Sequence, residues 1–460
     1  MKKNNLMMLA GLICGAGLCQ AQEGPWRVRD ALGLPAWLQL SFEHRTRYET
    51  LDEQFRAGGS GGDQVVALRT LALMEAVFPE WRVGGEFIDS RVALADAGTP
   101  VDTTQVNTAE LLQAYAAWTP THFLGSAVSA DIRFGRQAMD VGYRRLVARN
   151  SFRNTINAFT GLDAKFDAAG DWHARVYYVL PVTRRPDDVP SLLDEEAKFD
   201  YQDFNTQFWG LFFRQRQLGW GAGGEVYVFG LHEEDGTRLA TRDRELYTPG
   251  FRVYRDPAKA QFDFELESIY QFGESRASTA ATDVVDLDHF AHMQHAQAGY
   301  TFDAPWSPRV LVQYDYASGD EDPFDGDNER FDTLFGARRF EFGPTGIWGA
   351  FARSNINSPG YRLIVKPYET VSAFIGHRMF WLASDQDTWT TSAIRDVTGA
   401  TDDFIGHQIE ASITWQVIPK NVILEGGWAR LIKGEFAEEA PNAPETGDSN
   451  YFYTQTVLQF

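Results

Sequence analysis

The 460-residue chain has only two cysteines, Cys14 and Cys19, and both fall within its first 21 residues. That stretch has the layout of a secretory leader. Lys2 and Lys3 open it, an apolar run from Leu6 to Leu18 follows, and Cys19 and Ala21 stand at the small-residue positions of a cleavage site after Ala21. A lipid-modified cysteine is not expected, because Leu18 and Ile13, not small residues, precede Cys19 and Cys14. Residues 22–460 therefore have no thiol, which excludes a disulfide framework and a thiolate metal site and avoids oxidation on the way through the periplasm. A long apolar run is also missing. The one long uncharged stretch, Leu111 to Ala130, is broken at Thr119-Pro120-Thr121-His122 and reads as two strands and a turn, not a membrane helix. Positive charge is short, with 42 Lys and Arg against 63 Asp and Glu, and losing Lys2 and Lys3 makes the balance more acidic still; a nucleic-acid partner is not expected. Linkers, low-complexity stretches and short-period repeats are absent, so residues 22–460 read as one domain.

Aromatics, by contrast, make up 14% of the chain, although its mean hydropathy is −0.33. They follow a period of two. In Gln261 to Gly273, Phe262, Phe264, Leu266, Tyr270 and Phe272 share one face, while Asp263, Glu265, Glu267 and Gln271 share the other. In Trp37 to Tyr48, Leu38, Leu40 and Phe42 oppose Gln39, Glu43, Arg45 and Arg47. Such strands separate two solvents, and a secreted chain without membrane helices can span a bilayer only as a closed barrel. A soluble sandwich also alternates, but it does not need aromatics at so many strand ends.

The pattern predicts an all-β, transmembrane antiparallel barrel of about 18 strands. Connections alternate in length along the chain. Long ones include Thr50 to Asp63, Ala138 to Thr160, Arg184 to Asp203 and Gly319 to Ser358; short ones include Pro79-Glu80, Lys366-Pro367 and Pro419-Lys420. Long extracellular loops and short periplasmic turns are the outer-membrane arrangement, which puts both termini in the periplasm. The terminal Phe460, on a face with Phe452 and Leu458, resembles the signal read by the barrel-assembly machinery, an expected partner beside the outer-membrane lipid.

Several segments, taken in order, resemble the alginate-export family of outer-membrane porins. They are Arg69-Thr70-Leu71, Gly85-Glu86-Phe87, Gly135-Arg136-Gln137, Arg145-Leu146-Val147, Arg153-Asn154-Thr155 and Ala158-Phe159-Thr160-Gly161, where the family more often has Phe-Asp-Gly. Further along come Glu267 to Gly273, Ala317-Ser318-Gly319-Asp320, Phe331 to Gly336 and Tyr451-Phe452-Tyr453. The resemblance implies a monomeric outer-membrane channel that passes an acidic, alginate-like uronate polysaccharide through an arginine-lined constriction; from the residues themselves, neither catalysis nor a cofactor is expected.

Arg47, Arg69, Arg136, Arg145, Arg149 and Arg153 are the candidate constriction residues. A uronate polymer carries one carboxylate per sugar, and a ring of guanidiniums holds it at several points while letting it leave. The competing reading pairs each arginine with a nearby acid such as Glu43, Glu75, Glu86 or Asp131. If Arg133 faces inward, strict alternation puts Arg136 outward unless a bulge at Gly135 turns it. Ala138 to Thr160 is rich in Arg, Asn and Phe and is expected to fold into the lumen. Asp320, Asp322, Asp325 and Asp327 offer hard oxygens suited to calcium, without the spacing of an EF-hand; a solvated acidic loop is the plainer account. His289, His292 and His295 would share a face on a helix but alternate faces on a strand, so no metal is expected there. Gly58 to Gly62 fits a nucleophile-elbow pattern, yet nothing around it reads as the required strand and helix. Two other functions stay open beside polysaccharide export: a general or small-solute anion porin, and a barrel-embedded hydrolase.

Overall fold

The computed structural model describes residues 25–460 apart from Ala169, so the expected leader over residues 1–21 lies outside the described residues. Nineteen strands join in one sheet; one of them is the two-residue Asp327–Asn328 inside a loop, and the other eighteen form the wall. These are β1 (Leu38–Asp52), β2 (Asp63–Val77), β3 (Trp81–Ala93), β4 (Asn107–Trp118), β5 (Val128–Gln137) and β6 (Phe159–Ala168). Next come β7 (Trp172–Pro181), β8 (Thr206–Gly219), β9 (Ala222–Glu233), β10 (Glu245–Arg255), β11 (Gln261–Ser275) and β12 (Leu287–Thr301). The circuit ends with β13 (Arg309–Ala317), β14 (Ile356–Tyr368), β15 (Val371–Trp381), β16 (Phe404–Ile418), β17 (Val422–Lys433) and β18 (Ser449–Gln459). Each wall strand pairs antiparallel with its chain neighbours, and β18 returns to β1 from Glu43↔Gln459 to Asp52↔Asn450. An even number of strands lets this ring close without a parallel pair or an open edge.

The wall is inverted relative to a soluble protein. On β11, Phe262, Leu266, Tyr270 and Phe272 are exposed on the outside, whereas Asp263, Glu265, Glu267 and Gln271 are buried inside, as the alternation predicts. Phe134, Val176, Leu211, Val312, Ile375 and Ile413 continue the outer apolar band around the barrel. So much exposed apolar surface would drive a soluble protein to aggregate; facing acyl chains it is the stable arrangement. Stacked aromatics border the band, Trp37 on Phe78 and Trp81 on Trp118 near the tight turns, Tyr247 on Phe272 near the long loops. Among the described residues no helix is long and apolar enough to cross a membrane.

Nine long connections lie at one end and are numbered L1 to L9 in chain order. Those that matter below are L1 (53–62), L2 (94–106), L3 (138–158), L4 (182–205), L5 (234–244), L7 (318–355) and L8 (382–403). One short turn differs from the sequence expectation. Lys366-Pro367 is not the turn; both residues belong to β14, and the chain reverses at Glu369-Thr370. The β14–β15 register shifts between Val365 and Tyr368, and this irregularity accommodates a proline that has no amide to give to a ladder.

Candidate functional site

The barrel is too wide for its own side chains to fill, and L3 and L7 enter the lumen. In L3, Leu146, Val147, Asn154 and Thr155 are almost completely buried; in L7, Ile347, Trp348 and Phe351 are. The wall holds L3 through its backbone. Arg45 donates to the carbonyls of Ser151 (2.8 Å) and Arg153 (3.0 Å), Arg69 donates to the same two, and Arg47 donates to that of Phe152 (2.6 Å). Asn154 then donates through one amide nitrogen to the carbonyls of Leu68, Arg91 and Gln105. Arginines on a strand face thus supply the donors that loop carbonyls buried in the lumen require.

Five of the six candidate arginines meet carboxylates. Arg47 pairs with Glu49 (2.7 Å), Arg69 with Glu43 (2.8 Å), Arg136 with Glu110 (3.0 Å) and Arg149 with Glu86 (2.6 Å). Arg145 contacts Glu265 (2.5 Å), Glu267 and Glu341 (2.5 Å) and so ties L3 to β11 and to L7. The acids named in the competing reading are among the partners, since Arg82 also reaches Glu75 and Asp131, and Arg133 reaches Asp131. No bulge turns Arg136: the ladder runs in register through Tyr115↔Gly135 and Gly135↔Gly161, so Arg136 keeps the outward parity of Phe134 opposite exposed Ala114, and its guanidinium reaches Glu110 and Gln202 at the loop end of the wall. Arg145→Met is expected to lower the stability of the folded barrel by about 3–5 kcal/mol, because it leaves buried Glu267 without a cation and takes one of two from Glu265 and Glu341, which keep Arg252 and Arg353. Heat-modifiable gel migration against temperature measures this; an unchanged midpoint would mean that L3 is held by its carbonyl contacts alone.

Arg153, the sixth candidate, has no carboxylate partner among the described residues. It donates to Asn157 Oδ1 (2.6 Å) and lines a cavity of about 430 Å³ on the loop side, together with Arg56 of L1, Arg184 of L4 and Arg338 of L7. Arg56 donates to Gln54 and to the Trp348 carbonyl, and Arg184 to Asn157 and the Ile156 carbonyl. Asp102 is the one acid of the lining, and Arg353, also in the lining, is taken up by Glu341. Burial first, and the nearby Arg184 second, push the Arg153 guanidinium down to about 9; burial does the same to Arg56 and Arg338, each to about 10. All three stay charged at neutral pH, in a place where the charge is poorly solvated, and an anion would relieve that cost. Gly349, at φ +49°, lets two of these cations approach: a Cβ there would lie 3.0 Å from Arg338 Nη2 and 3.7 Å from Arg56 Nη2.

A second cavity, of about 420 Å³, opens at the other end of the lumen, lined by Gln39, Glu43, Glu86, Arg149, Lys420 and Phe460. Arg149 and Arg153, four residues apart on L3, therefore face opposite cavities, and between them Arg45, Arg47, Asn154 and Thr155 are at most 1% exposed. L3 thus separates the two cavities.

The other sequence candidates do not assemble into sites. Asp322 and Asp325 accept the amides of Phe324 and Asp327, and among the described residues these aspartates do not gather with Asp320 and Asp327 into a metal-holding group. His289 and His295 point inward and are buried, while His292 lies outside against Tyr316, so the strand separates them. His295, Asp315 and Glu341 do come within ligand distance of one another, but Arg145, Arg353 and Arg378 already neutralise the two acids. Gly58 to Gly62 is a loop tip with Gly58 and Gly61 at positive φ. Arg56, Arg184 and Arg338 are not evident as site residues in the sequence, because nothing in their local pattern marks them as unpaired.

Comparison with the curated proteins returned no match. Solved structures share the fold at low identity. OccK11 (OpdR) of Pseudomonas aeruginosa is 12% identical with a TM-score of 0.55, over 92% of this chain and 96% of that one. OccAB1 of Acinetobacter baumannii is 12% identical with a TM-score of 0.59, over 92% and 96%. OpdK of Pseudomonas aeruginosa, solved with vanillate, is 9% identical with a TM-score of 0.58, over 92% and 99%. The model of the alginate-export family matches residues 36–446, nearly the whole barrel with its lumenal loops and all four unpaired arginines. An apolar outer band, a charged lumen narrowed by loops and this match agree, and the chain belongs to the alginate-export family of outer-membrane channels.

Proposed function

We propose that the channel passes an anionic, uronate-type polysaccharide, engaged by Arg56, Arg153, Arg184 and Arg338 before it meets the constriction. One observation carries the reading: four guanidiniums from four different loops share a cavity with a single acid. Elsewhere in the lumen Arg47, Arg69, Arg145 and Arg149 meet carboxylates and Arg45 is taken up by loop carbonyls, so the imbalance here is local. Guanidiniums held by neutral amides and carbonyls keep donors free for carboxylate, and several such contacts retain a polymer without trapping it. The chain would arrive through the periplasm after cleavage at Ala21 and insert as a monomer with help from the barrel-assembly machinery.

Planar-bilayer recording tests the reading. Oligouronates are expected to block the chloride current reversibly and neutral oligosaccharides to leave it unchanged. Equal effects of both, or of neither, would remove the acidic-polymer assignment. The cavities, at about 420–430 Å³, also suit a small carboxylate, and OpdK, which shares the fold, was solved with vanillate. That favours uptake of a small anion as the second reading, and block by short aromatic carboxylates without block by oligouronates would select it.

A further inference from the structure

A third cavity, of about 410 Å³, adjoins the arginine cavity, and Thr333, Ala352 and Thr391 line both. Its chemistry is different. Arg244 is held by Glu233 and Asp332, and Arg330 by Asp387, so two of its three arginines are already neutralised. Hydroxyls dominate the rest of the lining, with Ser354 from L7 and Thr388 and Thr390 from L8 among them. His289 stands at its wall, 4% exposed; its Nδ1 meets Ser275 Oγ at 3.3 Å, and its Nε2 has no partner. An imidazole nitrogen buried without a partner costs free energy unless something in the cavity answers it.

We propose that this cavity is a saccharide subsite that recognises hydroxyls, holding a sugar unit of the polymer whose carboxylates the neighbouring arginines hold. The inference rests on the proposed function and deepens it. Charge alone does not separate a uronate from any other carboxylate. A cavity rich in hydroxyls, with a free imidazole nitrogen and balanced charge, supplies the directional contacts that do. A volume of about 410 Å³ falls within the ordinary range for small-molecule sites, roughly 300–1,000 Å³. The subsite is assembled by L5, L7, L8 and the ends of β11 and β12. The shared wall lets one chain of sugars contact both cavities at once.

The test compares two blockers in planar bilayers, using the full-length barrel: a hexuronate trimer, and tricarballylate, which has three carboxylates and no hydroxyl. Thr388→Val/Thr390→Val is expected to raise the ratio of half-blocking concentrations, trimer over tricarballylate, by roughly tenfold, the loss of about two hydrogen bonds. Heat-modifiable migration verifies that the variant is folded, and Ser354→Ala gives a second variant, expected to move the same ratio about threefold. An unchanged ratio in both folded variants overturns the subsite. The failure of the parent reading looks different: replacing Arg153 and Arg338 by glutamine would then leave block by both compounds unaltered. If the arginine variants weaken both blocks while the hydroxyl variants leave the ratio alone, the polymer reading stands and the subsite falls.

Discussion

Arg153→Glu/Arg338→Glu is expected to convert the channel from anion- to cation-selective and to weaken block by oligouronates at least roughly hundredfold, at a little over 1.4 kcal/mol for each lost charge-assisted contact. The wild-type expectation runs against composition, because the whole chain carries a formal charge of −21. Most of those carboxylates are distant from the pore or matched, as Glu43, Glu49, Glu86 and Glu110 are by arginines of the wall and of L3. Exposed charges beyond a Debye length are screened, whereas those lining a narrow, poorly hydrated passage are not. The loop-side cavity has four unpaired guanidiniums against Asp102, and the double substitution makes acids outnumber unpaired cations there. Reversal potentials in a salt gradient report the change. The paired Arg82, held by Glu75 and Asp131, provides the contrast: Arg82→Gln is expected to leave selectivity close to wild type. A wild-type channel that prefers cations at moderate salt would mean that the vestibule arginines serve only the packing of the loops.

Removing residues 141–151 is expected to raise single-channel conductance at least about twofold, since this part of L3 crosses the lumen. The segment supplies Arg145, Arg149 and the Ser151 carbonyl, which together bridge β1, β2, β3, β11 and L7. Its loss leaves Glu267 without a cation and removes one of two from Glu265 and from Glu341. The deletion is therefore best made together with Glu267→Gln and Glu341→Gln, so that a fall in stability does not mask the opening of the pore. The rise in conductance should come with a loss of anion preference, because Arg153 loses the anchored loop that positions it. Conductance equal to wild type in a folded deletion variant would assign the constriction to L7, whose Ile347, Trp348 and Phe351 are also buried in the lumen.

Most of the wall is legible in the sequence. The predicted strand over 128–137 matches β5, and 404–418 matches β16, because outward Phe134 and Ile413 against inward Asp131 and Gln408 leave little freedom of register. Pro367 is an exception: a proline usually marks a turn, yet here a ladder irregularity absorbs it inside β14. The arginines divide along the same line. The doublets Arg144-Arg145, Arg184-Arg185 and Arg338-Arg339 each send one guanidinium to an acid: Arg145 to Glu265, Arg185 to Asp187 and Arg339 to Glu410. Arg184 and Arg338 go to the cavity, and Arg144 lies over Phe340. Doublets are visible in sequence, and neighbouring side chains on an extended backbone point apart, but which member finds a carboxylate is not visible.

Residue pattern alone defines the class of the molecule, the strands, the two faces of each strand and the end at which the long loops lie. These depend on residues two positions apart and on the solvents that the two faces meet, which is local information. Tertiary folding was needed to place L3 and L7 in the lumen, to match five of six candidate arginines with carboxylates, and to gather Arg56, Arg153, Arg184 and Arg338 in one cavity. The reason is physical. A charge is free or spent according to the carboxylate that closure of the barrel brings beside it, and Arg145 and Glu341, or Arg56 and Arg338, become neighbours only when loops from distant parts of the chain fold into the same space.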